Sequence, residues 1–65
     1  MSRDERLAKA QRIIEANGYM TLTDYALATD QSRTKASRDL SELTADPGSG
    51  IGTRGSHSHK VWVKK

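Results

Sequence analysis

A proline followed by two nearby glycines divides the chain into two parts with different hydrophobic patterns. Residues 46–50 read Asp-Pro-Gly-Ser-Gly. A helix cannot continue through them, because proline lacks an amide hydrogen and glycine costs backbone entropy. Before this break, apolar residues recur at helical spacing; after it, residues 59–65 alternate between polar and apolar, as in a strand. The sequence therefore predicts a mainly α fold with a small antiparallel β-hairpin.

Three helices are predicted before the break. Helix one covers about residues 3–17, after Ser2 as its N-cap, and ends at Gly18, which tolerates the left-handed conformation that closes many helices. Helix two covers about residues 23–29 and takes Thr21 or Thr23 as its N-cap. It directs Tyr25 and Ala26 inwards, with Leu27 as a further candidate. Helix three covers about residues 33–45 and takes Ser32 as its N-cap. Its predicted core stripe consists of Ala36, Leu40 and Leu43.

The hairpin is predicted over about residues 51–64. Val61 and Val63 lie two residues apart and share a face of the second strand, so we expect them to complete the core with Ile51. This assignment places Trp62 on the outer face, between Lys60 and Lys64.

Length and composition favour one small domain covering residues 1–65. A chain of 65 residues with 34% hydrophobic residues can bury only a small core. It has 0 cysteines, which excludes disulfides and thiolate metal sites and suits the cytoplasm. No apolar run approaches the roughly 20 residues of a membrane span, and the first residues lack the apolar core of a signal peptide. We therefore expect a cytoplasmic domain with no membrane partner.

Positive charge is concentrated after residue 30. Residues 1–30 carry four basic and five acidic side chains, a net charge of −1, whereas residues 31–65 carry seven basic and three acidic side chains, a net charge of +4. Such a local positive field attracts phosphates. On charge alone, a merely solvated basic surface is an equally good interpretation.

Helix two, a short polar turn and helix three have the layout of a helix-turn-helix motif. Arginine and lysine neutralise phosphates or pair with guanine, and serine and threonine bond to phosphate or base. The residues predicted to face the major groove are Thr34, Lys35, Ser37, Arg38 and Ser41, and those predicted to contact phosphates or the minor groove are Arg33, Arg54 and Lys60.

Residues 22–43 resemble, without a gap, the winged-helix domains of the DeoR type. Residues 32–40, Ser-Arg-Thr-Lys-Ala-Ser-Arg-Asp-Leu, are similar to the winged-helix module at the C-terminus of many Fic-family proteins. The resemblance implies a bacterial or phage-type domain with helix three as recognition helix and residues 52–60 as wing. Asp30 stands where the family usually has glycine, and Gln31 where an apolar residue is usual. The Fic catalytic motif, His-Pro-Phe followed by a glycine-rich loop, is absent, so any AMP transfer would belong to another chain or a missing region.

The hairpin loop carries a second set of candidate residues. Residues 53–60 combine glycine, hydroxyl groups, histidines and positive charge, which suits contact with a minor groove or a phosphate ridge, although an ordinary solvated loop has the same composition. His57 and His59 alone make an incomplete metal site, so no metal and no other cofactor is predicted. Asp39 is expected to bond a neighbouring basic group or amide.

Catalysis is not predicted, because no nucleophile is placed beside an oriented base and so short a chain offers no obvious pocket for a small-molecule substrate. We therefore expect a three-helix winged helix-turn-helix that binds double-stranded DNA with sequence preference, as a transcription regulator does. The alternative is an accessory protein-interaction or regulatory module of a Fic-type protein. Salt-dependent binding to DNA distinguishes the two functions.

Overall fold

The helices and the hairpin follow one another in the predicted order. The structure, a computed structural model, describes residues 1–56 and 59–65. Those residues form three α-helices, a short 3₁₀ helix and two strands: α1 (Arg3–Asn17), α2 (Leu22–Ala28), α3 (Arg33–Ala45), the 3₁₀ helix (Pro47–Ser49), β1 (Ile51–Arg54) and β2 (Val61–Lys64). The predicted fold class, a mainly α winged helix-turn-helix with a small antiparallel hairpin, is confirmed.

Capping residues fix both ends of α1 and the start of α2. At the start of α1, the Ser2 hydroxyl accepts a hydrogen bond from the Glu5 amide at 3.2 Å. The start of α2 is a reciprocal capping box, in which Thr21 and Asp24 each accept from the other's amide at 3.1 Å. Because Thr21 is the cap, α2 begins at Leu22 rather than at the predicted residue 23. At the end of α1, Gly18 adopts the left-handed conformation, with φ of 84°.

The predicted break turns the chain from α3 into the hairpin. The Asp46 carboxylate accepts from the Gly48 amide at 2.9 Å, and the buried Ser49 hydroxyl donates to the carbonyl oxygen of Leu43 at 2.5 Å. Asp46 also forms an ion pair with Arg3 at 2.6 Å, and the hydrogen bond from this guanidinium lowers the pKa of the Asp46 carboxyl. The end of α3 is thereby joined to the start of α1.

The hairpin is attached to the helices through a third extended segment. β1 pairs antiparallel with β2, so that Thr53 lies opposite Trp62 and Arg54 lies opposite Val61. On the other side of β2, Met20 forms an isolated antiparallel bridge with Trp62, in which each amide donates to the other's carbonyl oxygen at 2.8 Å. The segment between α1 and α2 therefore lies beside β2.

The inner face of β2 is the opposite of the predicted one. Trp62 is only 6% exposed and belongs to the core, whereas Val61 and Val63 are half-buried on the outer face. Alternation shows that residues 61 and 63 share a face, but it does not show which face is inward. The pairing of β2 with its two neighbours shows which face is inward, because Trp62 lies beside the fully buried Met20 and on the same face as Ile51. The large indole also covers more apolar surface than either valine.

The core lies where the helices meet the inner face of the hairpin. The predicted stripe of α3 is confirmed, since its three residues are at most 1% exposed. The buried apolar residues are Ala10, Ile14, Met20, Tyr25, Ala26, Ala36, Leu40, Leu43, Ile51 and Trp62. Among the described residues, no helix combines the length and the apolar character that crossing a membrane requires.

Candidate nucleic-acid interface

The outer side of α3 presents the residues predicted for the major groove. Because Ala36, Leu40 and Leu43 hold the helix against the core, side chains on the opposite side face solvent. The structure leaves all the major-groove candidates exposed: Thr34, Lys35, Ser37, Arg38 and Ser41. The Ser41 hydroxyl donates to the carbonyl oxygen of Ser37 at 3.1 Å. While it makes this bond, it can accept a hydrogen bond from a base but cannot donate one.

A tight turn between α2 and α3 fixes where α3 starts. Asp30 adopts the left-handed region, with φ of 52°, at the position where the DeoR-like pattern has glycine. Aspartate is among the few residues other than glycine that tolerate this conformation. On either side of it, the Thr29 hydroxyl donates to the Tyr25 carbonyl at 2.7 Å, and the Gln31 amide donates to the Ala26 carbonyl at 3.0 Å. Both departures from the family pattern are therefore compatible with a closed turn.

The first turn of α3 carries positive charge without a carboxylate. α1 and α2 have acidic residues in their first turns, but α3 has none, and its cap Ser32 accepts from the Lys35 amide at 3.3 Å. Arg33 donates to the Thr23 hydroxyl of α2 at 3.1 Å, which brings the starts of the two helices together. The unpaired amides at a helix start attract anions, so this end of the motif suits a phosphate.

Among the described residues, none of the cations predicted to contact DNA forms an ion pair with a carboxylate. Within residues 1–56 and 59–65, the ion pairs are Arg3 with Asp46 and Arg6 with Asp39. Neither pair includes a residue proposed for DNA contact. The exposed candidates Arg33, Lys35, Arg38 and Arg54 can therefore exchange their solvent counterions for phosphates.

Glu42 is an exposed acidic residue that the sequence analysis missed. It lies one helical turn after Arg38, at the spacing that brings opposite charges together on a helix surface. A carboxylate at this position repels phosphates. The cationic surface of α3 is consequently concentrated in its first two turns, from Arg33 to Arg38. The sequence already shows this, because Glu42 follows the predicted contact residue Arg38 by four positions.

The wing candidates lie at both ends of the hairpin loop. Arg54 is exposed at the end of β1, and the loop then turns at Gly55, where φ is 94° and an added Cβ would lie 2.5 Å from the His59 carbonyl oxygen. The Lys60 ammonium lies 5.6 Å from the centre of the Trp62 ring, a cation–π contact. Lys60 thus has an alternative partner to phosphate. The predicted tip residues at positions 57 and 58, and with them one of the two histidines, lie outside the described residues.

A buried polar cluster lies behind the interface and joins α1, α2 and α3. Asp39 is buried on the inner side of α3, and its Oδ2 accepts from Nε of Arg6 at 2.9 Å and from the Tyr25 hydroxyl. Arg6 also donates to the Met1 carbonyl at 2.8 Å. Asp39 thus bonds a basic group, as expected, but Arg6 and Tyr25 were not recognised as its partners. We call these three side chains the Asp39 cluster.

The Asp39 cluster changes the acidity of Tyr25. Burial raises the pKa of its hydroxyl well above the ordinary value, and the hydrogen bond to the Asp39 carboxylate raises it further. An unfolded chain has a tyrosine pKa of about 10. The folded state therefore holds the Tyr25 proton more tightly than the unfolded state, and this contribution to stability is complete below pH about 10 and is lost as the pH rises further.

Alkaline titration is expected to unfold the domain and ionise Tyr25 together. In a Tyr19→Phe variant, Tyr25 is the remaining tyrosine, so the ultraviolet absorbance of tyrosinate reports on it alone. This absorbance should stay low above pH about 10 and rise only where the helical circular dichroism falls. In denaturant, the same variant should titrate near pH 10. Tyrosinate that forms near pH 10 in a fully helical protein would contradict the buried hydrogen bond.

In the part of the chain that the structure describes, no group of three His, Asp or Glu side chains is arranged to hold a metal ion. No family model, known protein or solved structure matches the chain. The DeoR-like and Fic-like resemblance remains a prediction that depends on the residues quoted for it.

Proposed function

We propose that this chain is a DNA-binding winged helix-turn-helix domain of the kind that regulates transcription, and that it acts in the cytoplasm of a bacterium. The observation that carries the proposal is the outer side of α3, where exposed cations and hydroxyls stand opposite a fully buried apolar stripe. A recognition helix needs this combination, because one side must be held rigidly while the other enters a groove.

Two kinds of contact are expected to have different roles. Arg38 lies on the outermost side of α3, and a bidentate pair between arginine and a guanine edge distinguishes sequences. Arg33 at the start of α3 and Arg54 at the end of β1 flank that side and are assigned to phosphates. Phosphate contacts supply affinity and salt dependence, whereas the base contact supplies the preference for one sequence.

Alanine substitutions separate these roles. Arg38→Ala should weaken binding to a selected duplex by about 1–3 kcal/mol and reduce discrimination against a scrambled duplex. Arg54→Ala should instead weaken both duplexes alike and reduce the slope of log K against log salt by about one unit, because a phosphate contact releases a counterion but reads no sequence. Fluorescence anisotropy of labelled duplexes over a salt series measures both effects.

A matched control is available on α1. Arg12 is an exposed arginine outside the proposed interface, so Arg12→Ala should change neither the discrimination nor the salt slope. An equal loss in all three variants would indicate a general effect of net charge rather than a defined interface. Amide shifts on titration with duplex should fall in α3 and the hairpin. A wild-type domain that binds no duplex at low salt would contradict the proposal.

The outer face of the hairpin favours a second candidate function. Val61 and Val63 are half-buried there, and Tyr19, next to the Met20 bridge, is 49% exposed. Exposed apolar side chains can mark a contact with another protein. A protein-interaction module of a Fic-type protein would use this face. It would then show no salt-sensitive affinity for DNA, and its amide shifts on binding a partner would map to β2 instead of α3.

A further inference from the structure

Within the Asp39 cluster, Arg6 and Tyr25 hold Asp39, and Asp39 directly follows Arg38 in the chain. Successive residues of an α-helix point about 100° apart, so the direction of Arg38 is determined once that of Asp39 is fixed. The neighbouring stripe of α3 contacts the core through apolar side chains, which have no strong directional preference. Hydrogen bonds to Asp39 are directional and weaken when the donor moves out of line. The cluster therefore constrains the rotation of α3 more sharply than the apolar stripe does.

The two donors of the cluster come from different helices. Tyr25 belongs to α2 and Arg6 to α1, and both meet the same carboxylate oxygen of Asp39. A buried carboxylate that loses a donor is strongly unfavourable. Every side-chain nitrogen or oxygen buried in the described residues has a hydrogen-bond partner, so the cluster is fully satisfied in this arrangement. A rotation of α3 would break at least one of these bonds.

We propose that Tyr25 and Arg6 are positioning residues that set the rotation of α3 through Asp39 and thereby aim Arg38 at the bases. This inference rests on the proposed DNA-binding function. Neither residue needs to touch DNA, since Tyr25 is fully buried and Arg6 is partly buried behind α3. Discrimination between sequences depends on the cluster, because base contacts tolerate little misplacement, whereas affinity for any duplex depends on the flexible exposed cations.

The test compares Tyr25→Phe with Tyr19→Phe. Both remove one phenolic hydroxyl without changing the charge, but only Tyr25 donates to Asp39; Tyr19 is half-exposed. In Tyr25→Phe, the Kd for a selected duplex should rise at least about fivefold, the lower end of what one base contact contributes. The Kd for a scrambled duplex and its salt slope should stay those of the wild type. Tyr19→Phe should leave both Kd values unchanged.

Two results of this binding comparison would overturn the proposal. One is a folded Tyr25→Phe variant with unchanged discrimination, and the other is an equal loss of affinity for both duplexes, which a purely structural role would produce. If Tyr25→Phe does not melt cooperatively, Arg6→Gln is compared with Arg3→Gln, which removes the exposed ion pair to Asp46. Failure of both cluster variants to fold would assign the cluster to stability alone and would also overturn the proposal.

A measurement on the free protein separates this inference from the proposed function. Residual dipolar couplings of backbone amides give the orientation of α3 relative to α1 without DNA. If the wild type binds no duplex, the proposed function fails, but a rotated α3 in Tyr25→Phe still supports the positioning role. An α3 orientation identical in wild type and Tyr25→Phe would overturn the positioning role, whether or not the domain binds DNA.

Discussion

Leu40→Ala is expected to destabilise the domain by about 2–5 kcal/mol, because it removes buried methyl groups and leaves a cavity. Leu40 is 0% exposed and lies in the middle of the α3 stripe, between Ala36 and Leu43. A domain of this length has a total stability of about 3–10 kcal/mol. The variant should therefore have a much lower Tm or be largely unfolded at room temperature. Thermal and urea denaturation followed by circular dichroism measure the change.

Leu27 provides a matched control for this prediction. It is also a helical leucine and a candidate inward residue of α2 from the sequence, but the structure leaves it 78% exposed. Leu27→Ala should therefore change the free energy of unfolding by no more than about 0.5 kcal/mol. Leu40→Met, which conserves volume, should cost less than about 1.5 kcal/mol and keeps the series measurable if the alanine variant does not fold. Equal losses for Leu27→Ala and Leu40→Ala would show that the inner side of α3 is assigned wrongly.

The helices could be predicted from the sequence because their signals are local. Ser2, Gly18 and Ser32 act within a few residues of their own positions, and the 3.6-residue period that identifies the α3 stripe also identifies its outer side. The exposed candidates on α3 follow from the same pattern. The start of α2 was displaced by one residue, because either of two nearby threonines could have capped it and only the structure shows that Thr21 does.

The Asp39 cluster could not be predicted because its partners are distant in the sequence. Arg6 is 33 residues from Asp39, and Tyr25 is 14 residues from it. No helical or strand period relates such positions. The sequence shows only that an acidic residue, Asp39, lies beside the apolar stripe of α3. A buried carboxylate requires a hydrogen-bond partner, but the sequence does not show which residue that is. Amphipathic spacing alone would assign Arg6 to solvent, although its guanidinium completes the buried cluster.

Trp62→Ala is expected to cost about 3–5 kcal/mol, the largest single effect in the hairpin. Its indole is only 6% exposed on the inner face of β2, beside Met20 and on the same face as Ile51. Removing it leaves a cavity between the hairpin and the helices, which Ile51 alone does not fill. Thermal denaturation followed by far-ultraviolet circular dichroism measures the loss, since the variant has no tryptophan fluorescence to follow.

Val63→Ala is the control that distinguishes the two faces of β2. Val63 is half-buried on the outer face, and a fully buried methylene contributes only about 0.8 kcal/mol, so this change should cost about 1 kcal/mol. Trp62→Phe should fall between the two alanine variants, because a smaller ring fills part of the same space. If Val63→Ala destabilised the domain more than Trp62→Ala, the valines would be the inward residues of β2, and Met20 could not lie against Trp62.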